Sequence, residues 1–368
     1  MVDLPQEEDL QIEALATVFN DTTNSYKYYW FLSILEAITD SRSDGYPIEE
    51  ISTKMFLKVL YPLKHSLLSF GKSDGFKGIA DFITEYSTLD FSLNSELLSA
   101  QIEGSLPDSE KKEYEQRIKS LSRWVPYRFL RPFFAIETRG IPDSKVNKRI
   151  TELSRLASIK NPERCPYYFL GNRIIINQNW KEYFVKNMAL LNAFCYWHLT
   201  KFLQKNNPNV PGIPEKLFSP SKRSMKKYIE SWKQFVHLKP DSKCIYSGSY
   251  ITNDFSLDHF IPWSFVTHDL NWNLIPTGRT VNSSKSNNLP DLKKYIIPFS
   301  EMQYIYYQTI FPKMSFNKIL EDYSILFNLD LEDIYHLPRS SFIKIVIDTI
   351  RPMEQIAANM GYSRGWTF

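Results

Sequence analysis

Between positions 258 and 285 the chain carries Asp258 beside His259, then Asn273, Asn282 and Lys285. A carboxylate, an imidazole, amides and an ammonium spaced this way can hold one hard metal ion and activate a water beside a phosphate. Magnesium prefers oxygen ligands and keeps most of its waters, so one carboxylate and one amide oxygen suffice from the protein. An imidazole titrates near neutral pH, which suits His259 to take a proton from an attacking water. The ion would stabilise charge on the phosphate and the leaving oxygen. Lys285 would neutralise a neighbouring phosphate.

The elements around these residues must bring them to one place. The alternation of Phe255, Leu257, His259 and Ile261 with Ser256, Asp258 and Phe260 predicts a strand. Cys244–Tyr250 predicts its hairpin partner across a Thr252-Asn253-Asp254 turn. Pro262 ends the second strand, and a loop runs from Trp263 to Trp272. Pro276, Thr277 and Gly278 close a second turn, and Arg279–Asn288 is expected to be helical with Thr277 as N-cap. Pro290 stops that helix. Asn282 and Lys285 then share a face. Successive strand side chains point to opposite faces, so Asp258 and His259 can reach one cleft only if the strand ends and twists at this pair.

The runs D-H-F-I-P at 258–262, N-L-I-P at 273–276 and N-S-S-K-S-N-N-L-P at 282–290 resemble the HNH endonucleases. They are most similar to the HNH domain of the CRISPR guide-RNA nucleases. That resemblance implies a ββα-metal core that hydrolyses DNA phosphodiester bonds. It makes Asp258 and Asn282 ligands of Mg2+ or Mn2+, and His259 the general base. Asn273 fixes the loop and orients the histidine, and Lys285 contacts DNA, with Arg279 a further contact. Many relatives hold a structural zinc with two C-x-x-C pairs. The corresponding positions here are Cys244 and Ser247, then Gly278 and Val281, so no structural zinc is expected. Asn282 stands where many relatives have His, which favours magnesium or manganese.

The rest of the 368-residue chain is 43% hydrophobic with a net charge of +3, enough apolar material for several cores. The expected class is mostly α and multidomain (α+β), with helical regions flanking the small core. The expected divisions are a helical N-terminal domain over 1–205 that binds DNA or a partner, and a linker with a basic helix over 206–240. The HNH core follows over 241–295, then a helical extension over 296–368. Helices are expected from Asn24-Ser25 to Ile38, over Ile51–Phe70 with a break near Pro62, over Ile79–Glu85 and Glu110–Leu121, and over Trp180–Leu203. Residues 41–47 predict a turn, and Tyr167–Asn177 a hairpin with a Gly-Asn turn. From residue 119 to 160 basic residues, among them Arg123, Arg128 and Arg131, interleave with Trp124, Tyr127 and Phe129, a pattern able to track phosphates and stack on bases. Ser221–Phe235 predicts a helix carrying Lys226 and Lys227 as DNA-backbone contacts. His268 is expected in the loop, and Trp263 and Trp272 in the packing. Helices are expected again over 300–311, 316–327 and 339–359.

Three widely spaced cysteines suit a reducing cytoplasm. The opening MVDLPQEEDL is unlike a secretory signal, and no apolar run reaches membrane-spanning length. The resulting expectation is a cytoplasmic endonuclease in restriction or anti-phage defence. One such core cuts one strand, so double-strand cleavage implies a homodimer or a partner defence protein. The alternatives are a catalytically silent DNA-binding or scaffold subunit, and an RNA-directed or modification-dependent nuclease.

Overall fold

In the computed structural model, which describes residues 4–40, 43, 45–72, 74–220 and 223–368, most of the chain is helical. Two small sheets are present among the described residues, in keeping with a mostly α class. The chain forms two compact units. One runs to Pro208 and includes Leu217–Ser219; the other takes Asn209–Lys216 and continues from Pro220 to Phe368.

The first unit is organised on the helix Tyr26–Asp40, whose Trp30, Phe31 and Leu35 are wholly buried. Burial on every side makes it central, and it packs against the helices Ile48–Leu60 and Met188–Asn206. Trp30 donates its indole N–H to the Tyr167 hydroxyl (2.9 Å), which donates to the Pro126 carbonyl (2.6 Å). Strands β1 (Gly45–Pro47), β2 (Tyr167–Leu170) and β3 (Arg173–Ile176) form an antiparallel sheet in the order β1-β3-β2. The β2–β3 hairpin turns at Gly171 (φ +57°), a conformation glycine adopts freely. Residues 45–47, expected in a turn, are strand because they pair with Arg173–Ile175; Ser41, Arg42 and Asp44 lie outside the described residues. The helix expected over 180–203 divides at Asn187 into Gln178–Lys186 and Met188–Asn206. Helices Ser95–Ser105, capped by the Asn94 side chain, and Asp143–Lys160 had no sequence expectation. Both are largely polar, so apolar spacing marks them weakly.

The second unit begins its helical part at Lys226–Leu238, later than expected; Ser221 and Lys222 lie outside the described residues. Trp232 on this helix stacks on Tyr306 of the helix Leu292–Ile310 (3.9 Å between centroids). Helices Asn317–Phe327 and Arg339–Met360 complete the scaffold. Its sheet differs from the expected hairpin. Strand β4 (Ser256–His259) pairs antiparallel with β5 (Leu274–Thr277), not with Cys244–Tyr250. The latter segment closes on itself: Cys244 N–H donates to the Ser249 carbonyl (2.8 Å) and Gly248 N–H to the Cys244 carbonyl (2.9 Å), with Gly248 at φ +70°. Its Ser-Gly-Ser content favours a turn over a strand. Pro276, expected in a turn, sits within β5 opposite Leu257. A two-stranded ladder has free outer edges, where a missing N–H is tolerated.

Candidate active site

After β5, Gly278 starts the helix Arg279–Lys285, which packs on β4 and ends where Ser286 turns to φ +47°. Gly278 rather than Thr277 stands at the cap position, and the helix stops three residues before Asn288. The junction of β4 with this helix carries a buried ion pair. Asp258 is 2% exposed. Its Oδ1 accepts from Lys285 Nζ (3.0 Å) and its Oδ2 from the Tyr246 hydroxyl (2.8 Å). Burial, then the Asp258 charge, pushes the Tyr246 phenol well above its ordinary value, which keeps it a donor. Lys285 also donates to the His259 carbonyl (2.6 Å) and is wholly buried. An ammonium with no exposed surface does not face a DNA backbone in this arrangement, so Lys285 stands as the internal counter-ion of Asp258 instead of the expected DNA contact.

Asn282, one turn before Lys285, is partly exposed and donates from Nδ2 to Ser256 Oγ (2.7 Å). Ser256 and Asp258 are two apart on β4 and so share a face. Among the described residues no donor reaches Asn282 Oδ1, which leaves that oxygen available as a ligand.

His259, at the end of β4, has a different set of partners. Its Nε2 lies 2.8 Å from Asp269 Oδ1 and 3.4 Å from Arg223 Nη2. Arg223 forks the same carboxylate, with Nη2 at 2.5 Å from Oδ1 and Nε at 3.4 Å from Oδ2, and its guanidinium rests 4.3 Å over the Trp263 ring. A carboxylate only accepts, so Nε2 carries a proton, and in the neutral ring Nδ1 presents its lone pair. Burial pushes the Asp269 carboxyl up, but the hydrogen bonds from His259 and Arg223 outweigh it and hold the group down at about 2. Burial, then the neighbouring His259, lowers the His268 imidazole to about 4, so it is neutral at ordinary pH.

Asn273 is fully buried and clamps the backbone of one residue with both ends of its amide. Its Nδ2 donates to the Ile261 carbonyl and its Oδ1 accepts from Ile261 N–H, each at 2.9 Å. Phe260 N–H donates to the Asn273 carbonyl (2.8 Å). These bonds fix the chain directly after His259. Asn271 secures the same loop: its side chain accepts from Trp232 Nε1 (3.0 Å) and donates to Tyr306 (2.8 Å), while its N–H donates to Asp322 (2.8 Å). Trp272 is buried, as expected of a packing residue.

The helix thus gathers Asp258, Asn282 and Lys285, whereas the His259 ring is grouped with Asp269 and Arg223. Lys285, bonded to Asp258 and to the His259 carbonyl, joins the two sets. Asp269 carries no signal in the sequence beyond being an acid in a polar loop, and Arg223 none beyond its place in a basic run. Of the other expected DNA contacts, Lys226 and Lys227 are exposed at the start of their helix. Arg279 is exposed and pairs with exposed Asp254 (2.6 Å), a contact of little strength. Cys244 Sγ lies 3.0 Å from Thr277 Oγ1.

A divalent ion at this junction would have the Asp258 carboxylate and Asn282 Oδ1 as protein ligands. Both are hard oxygens, the ligand type that hard divalent ions take, and a carboxylate has lone pairs beyond the two already engaged. No curated protein and no solved structure matches the chain. Residues 244–291, which contain Asp258, His259, Asn273, Asn282 and Lys285, match the model of the HNH endonucleases.

Proposed function

We propose that the chain is a metal-dependent DNA endonuclease whose ββα core is formed by β4, β5 and the helix Arg279–Lys285. The observation that carries the reading is the convergence of that helix on β4, which sets Asn282 beside Ser256 and Lys285 on Asp258. Asp258 and Asn282 hold Mg2+ or Mn2+, which when bound supplies charge stabilisation at the phosphate and the leaving oxygen. His259 Nδ1 takes the proton from a water that adds to phosphorus as the bond to the leaving deoxyribose oxygen breaks. Asp269 and Arg223 hold the ring in the tautomer that leaves Nδ1 free, and Asn273 holds the peptide that follows. Lys226, Lys227 and Arg279 lie along the DNA backbone, and one centre cuts one strand. A cytoplasmic setting in restriction or anti-phage defence rests on analogy with free-standing nucleases of this kind.

The direct test is supercoiled plasmid incubated with the full chain and Mg2+ or Mn2+, with EDTA as the control. Open circles that accumulate before linear product, and vanish with EDTA, are expected. Parallel digests of RNA and of base-modified DNA separate a different substrate class. Intact plasmid, RNA and modified DNA with every ion would overturn the proposal.

Asp269→Asn tests the histidine's support. An amide can turn its NH2 toward Nε2 and favour the tautomer with Nδ1 protonated. The expected result is a fall in kcat of roughly 10- to 100-fold, the size of losing a residue that orients a ligand or base, with KM for DNA unchanged. A loss confined to KM would instead assign Asp269 to DNA binding.

A further inference from the structure

The first unit contains a cavity of about 370 Å³, within the range of small-ligand sites. Its wall carries three cationic side chains, Lys27, Arg128 and Arg131, together with Trp124, Asn24 and Asp143. Trp124 is 43% exposed, unusual for the largest side chain, and its ring lies 5.1 Å from the Arg123 guanidinium and 5.6 Å from that of Arg128. Lys27 is held by the Val18 carbonyl (3.1 Å) and the Asp21 carbonyl (2.7 Å), so its ammonium is positioned without a carboxylate bonded to it. Burial, the largest influence on this group, lowers the Lys27 ammonium, with Arg131 and Arg128 adding to the effect against Asp21. An anion in the cavity would relieve that repulsion.

The two arginines share Asp143 as partner, and Arg128 Nη2 also donates to the Asp143 backbone carbonyl (3.1 Å). Arg128 Nη1 reaches Asp143 Oδ1 at 3.1 Å, and Arg131 Nη1 reaches the same oxygen at 3.8 Å. The Asp143 side chain is 80% exposed, so neither pair is strong. A phosphate, with more charge and more acceptor oxygens, suits the two guanidinium groups better than one shared carboxylate oxygen and a neutral carbonyl do. Asn24 accepts the Tyr26 N–H (3.3 Å) through Oδ1, and among the described residues its NH2 has no acceptor. An exposed indole beside clustered cations is the pairing that stacks a base and grips its phosphate.

We propose that this cavity binds a nucleoside phosphate, with the base stacked on Trp124, the phosphate among Lys27, Arg128 and Arg131, and Asn24 at the base or sugar edge. The ligand chemistry is common to a free nucleotide and to the 5′-phosphorylated end of a strand. Neither depends on the nuclease centre, which lies in the other unit.

Calorimetric titration of the full chain in EDTA reads binding without cleavage. The probes are deoxyadenosine 5′-monophosphate, inorganic phosphate, and a hexadeoxynucleotide with and without a 5′-phosphate. Saturable binding of the monophosphate is expected, and Trp124→Ala should weaken it at least about tenfold while leaving inorganic phosphate unaffected, with Trp124→Phe recovering part of the loss. Arg131→Gln should weaken both ligands. Asp143→Asn should tighten both, a gain that a misfolded variant cannot give. A 5′-phosphorylated hexamer binding more tightly than the monophosphate, with its unphosphorylated twin weak, identifies a strand end; the reverse order identifies a free nucleotide. Failure of both to bind at millimolar concentration, indifference of monophosphate binding to Trp124→Ala, or weaker binding by Asp143→Asn would each overturn the proposal.

Discussion

His259→Ala is expected to lower the rate of plasmid nicking by a factor on the order of 10²–10⁴, the range general-base catalysis supplies. The reasoning starts from what surrounds the ring. Nε2 is committed to Asp269, so on the proposed reading the imidazole acts through Nδ1 alone, and alanine removes that proton acceptor. Alanine also releases Asp269 and Arg223 from the ring, but those two remain paired with each other, so no buried charge is orphaned. The ring is only 11% exposed, so a loss of packing stability is expected as well, and the rates are compared where thermal unfolding shows both proteins folded. The Lys285 bond is to the His259 carbonyl, which alanine keeps. DNA affinity measured in EDTA should therefore be unchanged while turnover collapses. A variant that nicks plasmid at the wild-type rate would remove His259 from the reaction.

How much of this centre could be seen in the sequence depends on the residue. The spacing of Asn282 and Lys285 sets them on one face of a helix, and that helix is present, although shorter than expected. The strand at 256–259 was legible from its alternation, whereas its partner was not. Leu274–Thr277 is four residues long with a proline inside, which resembles a turn, and it pairs across a loop too long for a local signal. Cys244–Tyr250 looked like the better partner because it is adjacent, and its Ser-Gly-Ser bend decided otherwise. Burial of Lys285 could not be read at all: nothing in N-x-x-K says that the carboxylate of Asp258 lies beneath the last turn. Asp269 is invisible for a related reason, since a lone acid in a loop acquires meaning only when the fold sets it against a ring nitrogen. In the first unit the Tyr167–Asn177 hairpin announced itself through Gly171-Asn172, because glycine tolerates the left-handed turn.

Lys285→Met is expected to destabilise the second unit by about 3–5 kcal/mol, the cost of leaving one partner of a buried ion pair alone. Methionine replaces the aliphatic stem well, so the loss is electrostatic more than steric. What remains is an Asp258 carboxylate that is 2% exposed and keeps only the Tyr246 hydroxyl as a donor, together with a His259 carbonyl deprived of the ammonium. Thermal unfolding in EDTA should show the unit melting lower by on the order of 10 °C, given about 2–4 °C per kcal/mol for a domain of this size. The Arg279–Asp254 pair supplies the contrast: both side chains are more than 70% exposed, and Arg279→Met should cost under about 1 kcal/mol. Adding Asp258→Asn to Lys285→Met removes the orphaned charge and should recover most of the loss, so the cycle yields a large coupling between the two positions. On the proposed reading a divalent ion draws on the same carboxylate. Mg2+ should then raise the melting point of Lys285→Met more than that of the unsubstituted chain, because in the variant the ion meets an Asp258 with no resident cation to share it. Equal shifts in the two proteins would place the metal elsewhere, while an unchanged melting point for Lys285→Met in EDTA would mean that Asp258 and Lys285 do not meet in the folded protein.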